Sequence, residues 1–448
     1  MTVIGQAEWI ENRDCPPWDG ITRKSSPAPG GDPRGLLPLN RLAGLRRSIA
    51  EYPPLLRLLG AGMFINSVGL AFIWPLTTVY IHTHLGRSLT VAGLVLLFNQ
   101  AAAALGSLAG GLLFDKIGPR RVILAGLLGS AVAIAVPGVT EQWPLYVAAM
   151  VLFGFAVALV RPAIFSLAAR TWPGQGRRPF NFLYVMNNVG VAVGTGLGGL
   201  LVSYSFRLAF LATAATTLLF AGIAFGGLRA GRLPPTAAEP SGPVAAGGSG
   251  AIPWPPIVAL FAGFFVLHVT YGQWQSTMPV YLETLGISLT RYSLLWTVNG
   301  LLIVLGQPLL SLLLRRLRTT PVQLLFGTLL YAGSFTLARY SHQYTGFVAG
   351  MVALTLGEMI LWPGIPAAVA QLSPPQRAGF LQGFIDDAML LGRMLAPIFG
   401  GLLYDRAGIA AVLTVVAALE ALPALCILFF ARITARSRGV GDQRRSVS

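Results

Sequence analysis

Six ionisable side chains sit inside long apolar stretches of this sequence: Arg161, Glu358, Asp386, Asp387, Arg393 and Glu420. A charge at the centre of a bilayer costs roughly 2.5–3.5 kcal/mol on insertion scales, so such residues face a bundle interior or a wet cavity. A carboxyl group placed there can take up and release a proton. Burial favours its neutral form, while a water route or an approaching guanidinium favours the carboxylate. Glu358 is the first candidate for that chemistry, with Arg161 as a partner. Asp386 and Asp387 are neighbours on one helix and point about 100° apart, so they cannot share a partner. Arg393 follows Asp386 by seven residues, which returns it to the same face two turns on. That pair could clamp a substrate or counter-ion, or carry the proton in place of Glu358. Glu420 is expected to pack against a neighbouring helix.

Amides and aromatic rings supply a second group. His268, Tyr271, Gln273, Trp274 and Gln275 fall within about two helical turns, and Asn66, Trp74, Tyr184, Asn187 and Asn188 lie in other apolar segments. Such a mixture suits drug-like or amphiphilic molecules, and it suits a sugar equally well. Asn99 and Asn299 recur at equivalent places and are expected to make interhelical hydrogen bonds. The four histidines (82, 84, 268 and 342) are scattered, and Cys15 and Cys426 lie far apart, so neither a metal site nor a nucleophile–base pair is assembled. No enzyme, metal or cofactor is expected. A phosphate-binding G-x-x-x-x-G-K-S/T loop is absent from the sequence, which leaves an ion gradient as the energy source.

The elements that position these residues follow from composition. Of 448 residues, 54% are hydrophobic and only 11% charged, and mean hydropathy is +0.67. Soluble domains carry about 25% charged residues, so lipid must be the solvent here. The net charge of +16 comes from 32 basic residues spread through short polar gaps, which gives no basic face for nucleic acid.

Residues 1–52 and 432–448 read as basic tails, and 229–253 as a central polar loop between bundles at 53–228 and 254–431. A membrane helix needs about 20 residues. Twelve spans fit the apolar sequence, at 55–82, 89–114, 120–139, 144–168, 178–203, 206–228, 254–284, 289–314, 320–339, 345–371, 377–402 and 409–431. With both termini in the cytoplasm, 25 Lys and Arg lie inside. Five (Arg87, Arg207, Arg291, Arg339 and Arg406) lie outside, and Arg161 and Arg393 lie within spans.

The two halves repeat. A shift of 200 pairs Leu85–Thr90 with Leu285–Thr290, and Asn99 with Asn299. A shift of 201 sets Arg161-Pro162-Ala163-Ile164 on Trp362-Pro363-Gly364-Ile365, and a shift of 202 pairs Gly198–Leu201 with Gly400–Leu403. An even number of spans per copy makes the repeats parallel, with a substrate site expected near the midplane between them.

Between spans 2 and 3 the chain reads Gly111-Leu-Leu-Phe-Asp115-Lys116-Ile-Gly118-Pro119-Arg120-Arg121. This resembles the G-x-x-x-D-R-x-G-R-R/K signature of the major facilitator superfamily, with Lys116 and Pro119 at two of its Arg positions. Span 5 carries Gly190-x-x-x-Gly194-Thr195-x-x-Gly198-Gly199, similar to the drug:proton antiporter signature but with Thr195 where proline is usual. Met150 in span 4 stands where many proton-coupled members have arginine. Arg161-Pro162-Ala163 and Gly357-Glu358-x-x-x-x-Pro363 resemble the bacterial multidrug-efflux branch.

The resemblance implies an all-α integral membrane protein of two six-helix bundles, with spans 1, 4, 7 and 10 lining a central cavity. It implies that Gly111, Asp115, Gly118, Arg120 and Arg121 form a gating latch, with Asp115 meeting a helix N-terminus of the other half. The function it implies is alternating-access, proton-coupled efflux of hydrophobic or cationic small molecules by a monomer in the inner or plasma membrane. A sugar or metabolite transporter and a transporter-like receptor are the alternatives.

Overall fold

The computed structural model describes residues 51–172, 178–228, 252–314, 316–317, 319–374 and 377–445. Two of the predicted segments, the N-terminal tail up to residue 50 and most of the central loop, lie outside the described residues.

Proline and serine start many of the helices, as expected where the first-turn N–H groups lack intrahelical partners. Pro54 opens α1 (Pro54–Ile73), which continues through tighter and looser helical turns to His84. Ser88 caps α2 (Leu89–Ile117), accepting from the Val91 N–H at 3.3 Å. There follow α3 (Pro119–Val139), α4 (Trp143–Thr171), α5 (Arg178–Tyr204) and α6 (Phe206–Gly227). The second half begins with α7 (Trp254–Ser276), extended by a short helix at Met278–Thr284. It continues with α8 (Leu289–Leu314), α9 (Thr320–Tyr340), α10 (Tyr344–Leu372), α11 (Ala378–Leu419) and α12 (Ala421–Arg445).

Eleven helical stretches among the described residues are long and apolar enough to cross a membrane. The last, Phe380–Thr434, has 55 residues, far more than the about 20 that one crossing needs. Within it Gly408 adopts φ 72°, ψ 177°, which turns the chain. Only glycine enters that region without strain. The parts before and after Gly408 are each long enough to cross. Large apolar side chains such as Leu108, Val132 and Leu329 are exposed, as expected where lipid replaces water and every backbone group is satisfied within its own helix.

The packing repeats between the halves. In the first, α2 and α3 pack on α4, while α1 packs on α5 and α6, and α3 on α6. In the second, α8 and α9 pack on α10, while α7 packs on α11 and α12, and α9 on α12. The turns before α2 and α8 also match: Gly86 and Gly286 both have positive φ. Ser88 and Ser288 accept from the N–H groups of Val91 and Arg291 respectively.

Two helix pairs join the halves, α2 with α11 and α5 with α8. Both close at the end opposite the α2–α3 turn. There Gly93 faces the Pro397–Ile398 backbone and Gly401 the Leu89–Thr90 backbone, so tightly that a methyl group at either would collide. Gly199 stands equally close to Thr290 and Ser293. At the other end Leu105 and Leu112 of α2, Leu305 and Leu312 of α8 and Phe380 of α11 are exposed, and among the described residues nothing lies against Gly111. The halves are therefore in contact at one end and splayed at the end bearing the α2–α3 turn.

Candidate functional site

Glu358 is 5% exposed on α10. An ionised or protonated carboxyl buried there needs polar partners, and the neighbouring helices supply them. The Asn299 side-chain amide on α8 donates to Glu358 Oε2 at 2.9 Å and to Thr355 Oγ1 at 2.9 Å. The Tyr271 hydroxyl on α7 lies near the carboxyl and in reach of Gln275. Asn99, the counterpart of Asn299, donates instead to the Met150 carbonyl of α4 at 2.6 Å. Both asparagines therefore bridge helices, and only the second half places an acid at the bridge.

An aromatic wall stands beside this carboxyl. Trp362 on α10 lies 5.0 Å from the Tyr271 ring, stacks on His268 at 5.3 Å, and donates its Nε1–H to the Tyr331 hydroxyl at 3.2 Å. The Arg393 guanidinium lies over the Trp362 ring at 5.2 Å, and among the described residues its Nε has no hydrogen-bond partner. Tyr271 also meets Trp296 of α8. Trp296 in turn contacts Trp74 of α1 at 5.3 Å, across the boundary between the halves.

From the first half, Tyr184 on α5 is exposed and within electrostatic reach of Glu358. Arg161 on α4 is likewise exposed, lies over Phe165, and is near enough to Arg393 for the two cations to repel. Neither Arg161 nor Glu358 is turned away from the opposite half. The arrangement presents one acid, two guanidinium groups and a ring-lined surface to the space between the bundles.

Other expected residues are placed differently. Gln273 is fully buried, with its amide donating to the Val269 and Ala396 carbonyls, and Trp274 is fully buried with its Nε1–H on Ser334 Oγ. Both hold the second half together, away from the gap. Asn66 accepts from Thr217 of α6 and Asn187 accepts from Ser67 of α1, so both tie helices within the first half. The Asn188 amide donates to the Tyr184 carbonyl one turn back. Asp386 is partly buried and Asp387 exposed, and neither pairs with Arg393 among the described residues. Glu420 is 2% exposed, and among the described residues neither of its carboxyl oxygens has a hydrogen-bond partner; the neighbouring Thr270 hydroxyl of α7 donates to the Leu267 carbonyl.

Near the α2–α3 turn, Gly118 has φ 84°, the left-handed backbone its position requires. Arg120 lies over Phe225 of α6 at 4.8 Å and Arg121 is exposed. The Asp115 side chain is outside the described residues. Sequence reasoning did not single out Trp296, Tyr331 or the ring of Trp362. Position 362 enters the sequence analysis as the counterpart of Arg161 in the repeat and within the Glu358–Pro363 segment, not as a binding ring.

The glycines of α5 have two duties. Gly190, Gly194 and Gly198 receive α1 at Phe64, Val68 and Phe72, whereas Gly199 and Thr195 face α8. Small residues at these positions let helices approach closely.

Comparison with known proteins agrees with this architecture. The model of the Major Facilitator Superfamily matches residues 59–385 and 260–446. The chain is 41% identical over 363 residues to the uncharacterized MFS-type transporter YttB of Bacillus subtilis (strain 168), covering 80% of this chain and 90% of that protein. It is 24% identical over 345 residues to the multidrug resistance protein MdtH of Aeromonas hydrophila subsp. hydrophila, covering 76% and 85%. The crystal structure of the POT family transporter PepTSo superposes with a TM-score of 0.71 at 13% identity, covering 87% of this chain and 99% of that one. With the repeated bundles and the family match in agreement, the chain belongs to the Major Facilitator Superfamily and is a membrane transporter, not an enzyme.

Proposed function

We propose that this transporter exports hydrophobic or cationic small molecules by alternating access, driven by protons that bind at Glu358. The observation that carries the reading is the buried Glu358 carboxyl, held by Asn299 with the Tyr271 hydroxyl nearby, beside a ring-lined surface. Rings offer stacking area and attraction for cations, and an acid at the same place links a proton to the cargo. The name of its relative MdtH, a multidrug resistance protein, supports the same substrate class.

In this reading the chain crosses a bacterial inner or plasma membrane twelve times as a monomer. Both termini are cytoplasmic, as the 25-to-5 distribution of Lys and Arg implies. The splayed end is then the cytoplasmic one. Trp74, Tyr184, Tyr271, Trp296 and Trp362 contact the substrate. Glu358 in its carboxylate form accepts from Asn299 and Tyr271; once protonated it loses its charge and crosses the closed state without an unpaired ion. Proton exchange with one side in each conformation links the gradient to the cargo.

A second reading has one specific observation in its favour. Arg161 and Arg393 approach each other from opposite halves, and a carboxylate or phosphate on an acidic metabolite would satisfy both. The test is flux in proteoliposomes under an imposed pH gradient, with a lipophilic cation, an acidic metabolite and a neutral sugar in parallel. Gradient-driven movement of the cation supports the first reading. Movement of the acid alone selects the second, and indifference of all fluxes to the gradient removes the proton.

A further inference from the structure

The residues Gly401-Leu402-Leu403-Tyr404-Asp405-Arg406-Ala407-Gly408 repeat Gly111-Leu112-Leu113-Phe114-Asp115-Lys116-Ile117-Gly118. Five positions are identical, an aromatic ring pairs with a ring and a basic residue with a basic residue. The offset is 290, not the 200–202 of the duplication. The backbone repeats as well: Gly118 has φ 84°, ψ 159°, and Gly408 has φ 72°, ψ 177°. The helical stretches that end in these segments, α2 and the part of α11 before Gly408, pack antiparallel across the boundary between the halves, since Gly401 meets Leu89 and Gly93 meets Pro397. The two copies therefore lie at opposite ends of one helix pair.

The copy on α11 is engaged. Asp405 Oδ1 accepts from the Leu89 N–H at 3.2 Å, and its Oδ2 accepts from the Thr90 N–H at 2.8 Å and the Thr90 hydroxyl at 2.5 Å. Leu89 and Thr90 are the first two residues of α2. The Val91 N–H goes to Ser88 Oγ and the Ala92 N–H to the Ser88 carbonyl. All four first-turn donors of α2 are thus satisfied, two of them by a carboxylate from the other half, placed where the helix dipole favours negative charge. At the opposite end, the residue before α11, Arg377, supplies no side-chain cap. The pseudo-symmetric pair of α5 and α8 has no such acid: Ser203 stands at the Asp405 position and bonds its own helix at Leu200, while the Thr290 hydroxyl donates to the Gly199 carbonyl.

We propose that Asp405 is a gating latch that holds this end of the transporter shut, a counterpart on α11 of the latch that the family resemblance implies for the α2–α3 turn. The proposal rests on the reading that the halves rock, and not on the identity of cargo or coupling ion. Opening at the Asp405 end hands the Leu89 and Thr90 donors to water. The latch therefore biases the equilibrium without locking it.

The test uses the full chain in lipid nanodiscs with Cys15 and Cys426 replaced and spin labels at Tyr204 and Tyr340, exposed sites on opposite halves at the Asp405 end. A second label pair at Arg178 and Arg316 reports the other end. D405N should raise the fraction of long distances between 204 and 340 by about tenfold, the effect of losing about 1.4 kcal/mol of charge-assisted bonding, and shorten those between 178 and 316. T90V, which keeps the charge and removes one donor, should shift both distributions the same way by less; it also serves if D405N does not fold. D115N, at the latch that the family resemblance implies for the other end, should shift them the opposite way. Unchanged distributions in D405N and T90V, or a D405N shift in the D115N direction, overturn the proposal. Distances are read without substrate or gradient, so failure of the proton-driven export reading would leave this result standing.

Discussion

The hydroxyls of Thr195 on α5 and Thr297 on α8 lie 3.2 Å apart across the boundary between the halves. Thr195 occupies the place where the antiporter-like glycine pattern has proline. Its hydroxyl also reaches the Ala192 carbonyl on its own helix, and that carbonyl accepts from Thr297 as well. A polar contact thus stands where the pattern predicts a kink, on a surface that must separate whenever this end opens. Replacing Thr195 by Val removes a neutral hydrogen bond worth about 1 kcal/mol. The expected outcome is a few-fold rise in the population open at this end, measured as faster modification of a cysteine placed at Gly196 by a water-soluble reagent.

Close approach is a stricter requirement than that hydrogen bond. Gly401 meets the Leu89–Thr90 backbone, which cannot yield as a flexible side chain would. Gly401→Val should leave the protein folded but unable to close this end. Substrate exchange in proteoliposomes should then fall by at least tenfold, while Gly383→Ala, at a position with nothing within 4 Å among the described residues, should change little.

Tryptophans separate packing from binding. Trp274→Ala should lower thermal stability by about 3 kcal/mol, because the indole is fully buried and hydrogen-bonded to Ser334. Trp362→Ala removes a partly buried ring beside Arg393 and Tyr271. Its expected effect is a rise of at least tenfold in substrate KM with a smaller loss of stability, measured by transport kinetics and a thermal melt on the same preparations.

The exposed ion pair of Arg207 with Glu141, 2.9 Å long, is expected to matter little. Solvent-exposed pairs contribute about 0–1 kcal/mol. Glu141→Gln should leave transport unchanged and shift the melting temperature by no more than a degree or two, read by the same melt.

Much of this architecture was legible in the residues, for reasons particular to them. The apolar segments, the Arg bias and the offset of 200 between Leu85–Thr90 and Leu285–Thr290 point to repeated bundles, and the helix packing repeats in the same order. The faces of the helices were harder to read. An α7 that is apolar on every side gives no periodic mark of which side meets the cavity. The angular spacing helps afterwards: Tyr271 and Gln275 are four residues apart and share a face, while Gln273 and Trp274 point elsewhere and pack inward. Trp296 and Tyr331 were missed because each lies among other aromatics of an apolar segment, such as Tyr292 and Phe335, and only the fold gathers the two around Tyr271. The second copy of the Gly111–Gly118 pattern escaped because its offset is not that of the duplication.

The central claim is that Glu358 couples proton movement to cargo, and it is tested most directly by Glu358→Gln in proteoliposomes, assayed for substrate exchange at equal pH and for accumulation driven by an imposed pH gradient. Gln keeps the size of the side chain and a hydrogen-bonding carbonyl for Asn299 but carries no exchangeable acid proton. The account predicts that exchange survives while gradient-driven accumulation is lost. Accumulation that persists in the variant at the wild-type level would contradict it and move the proton to another group.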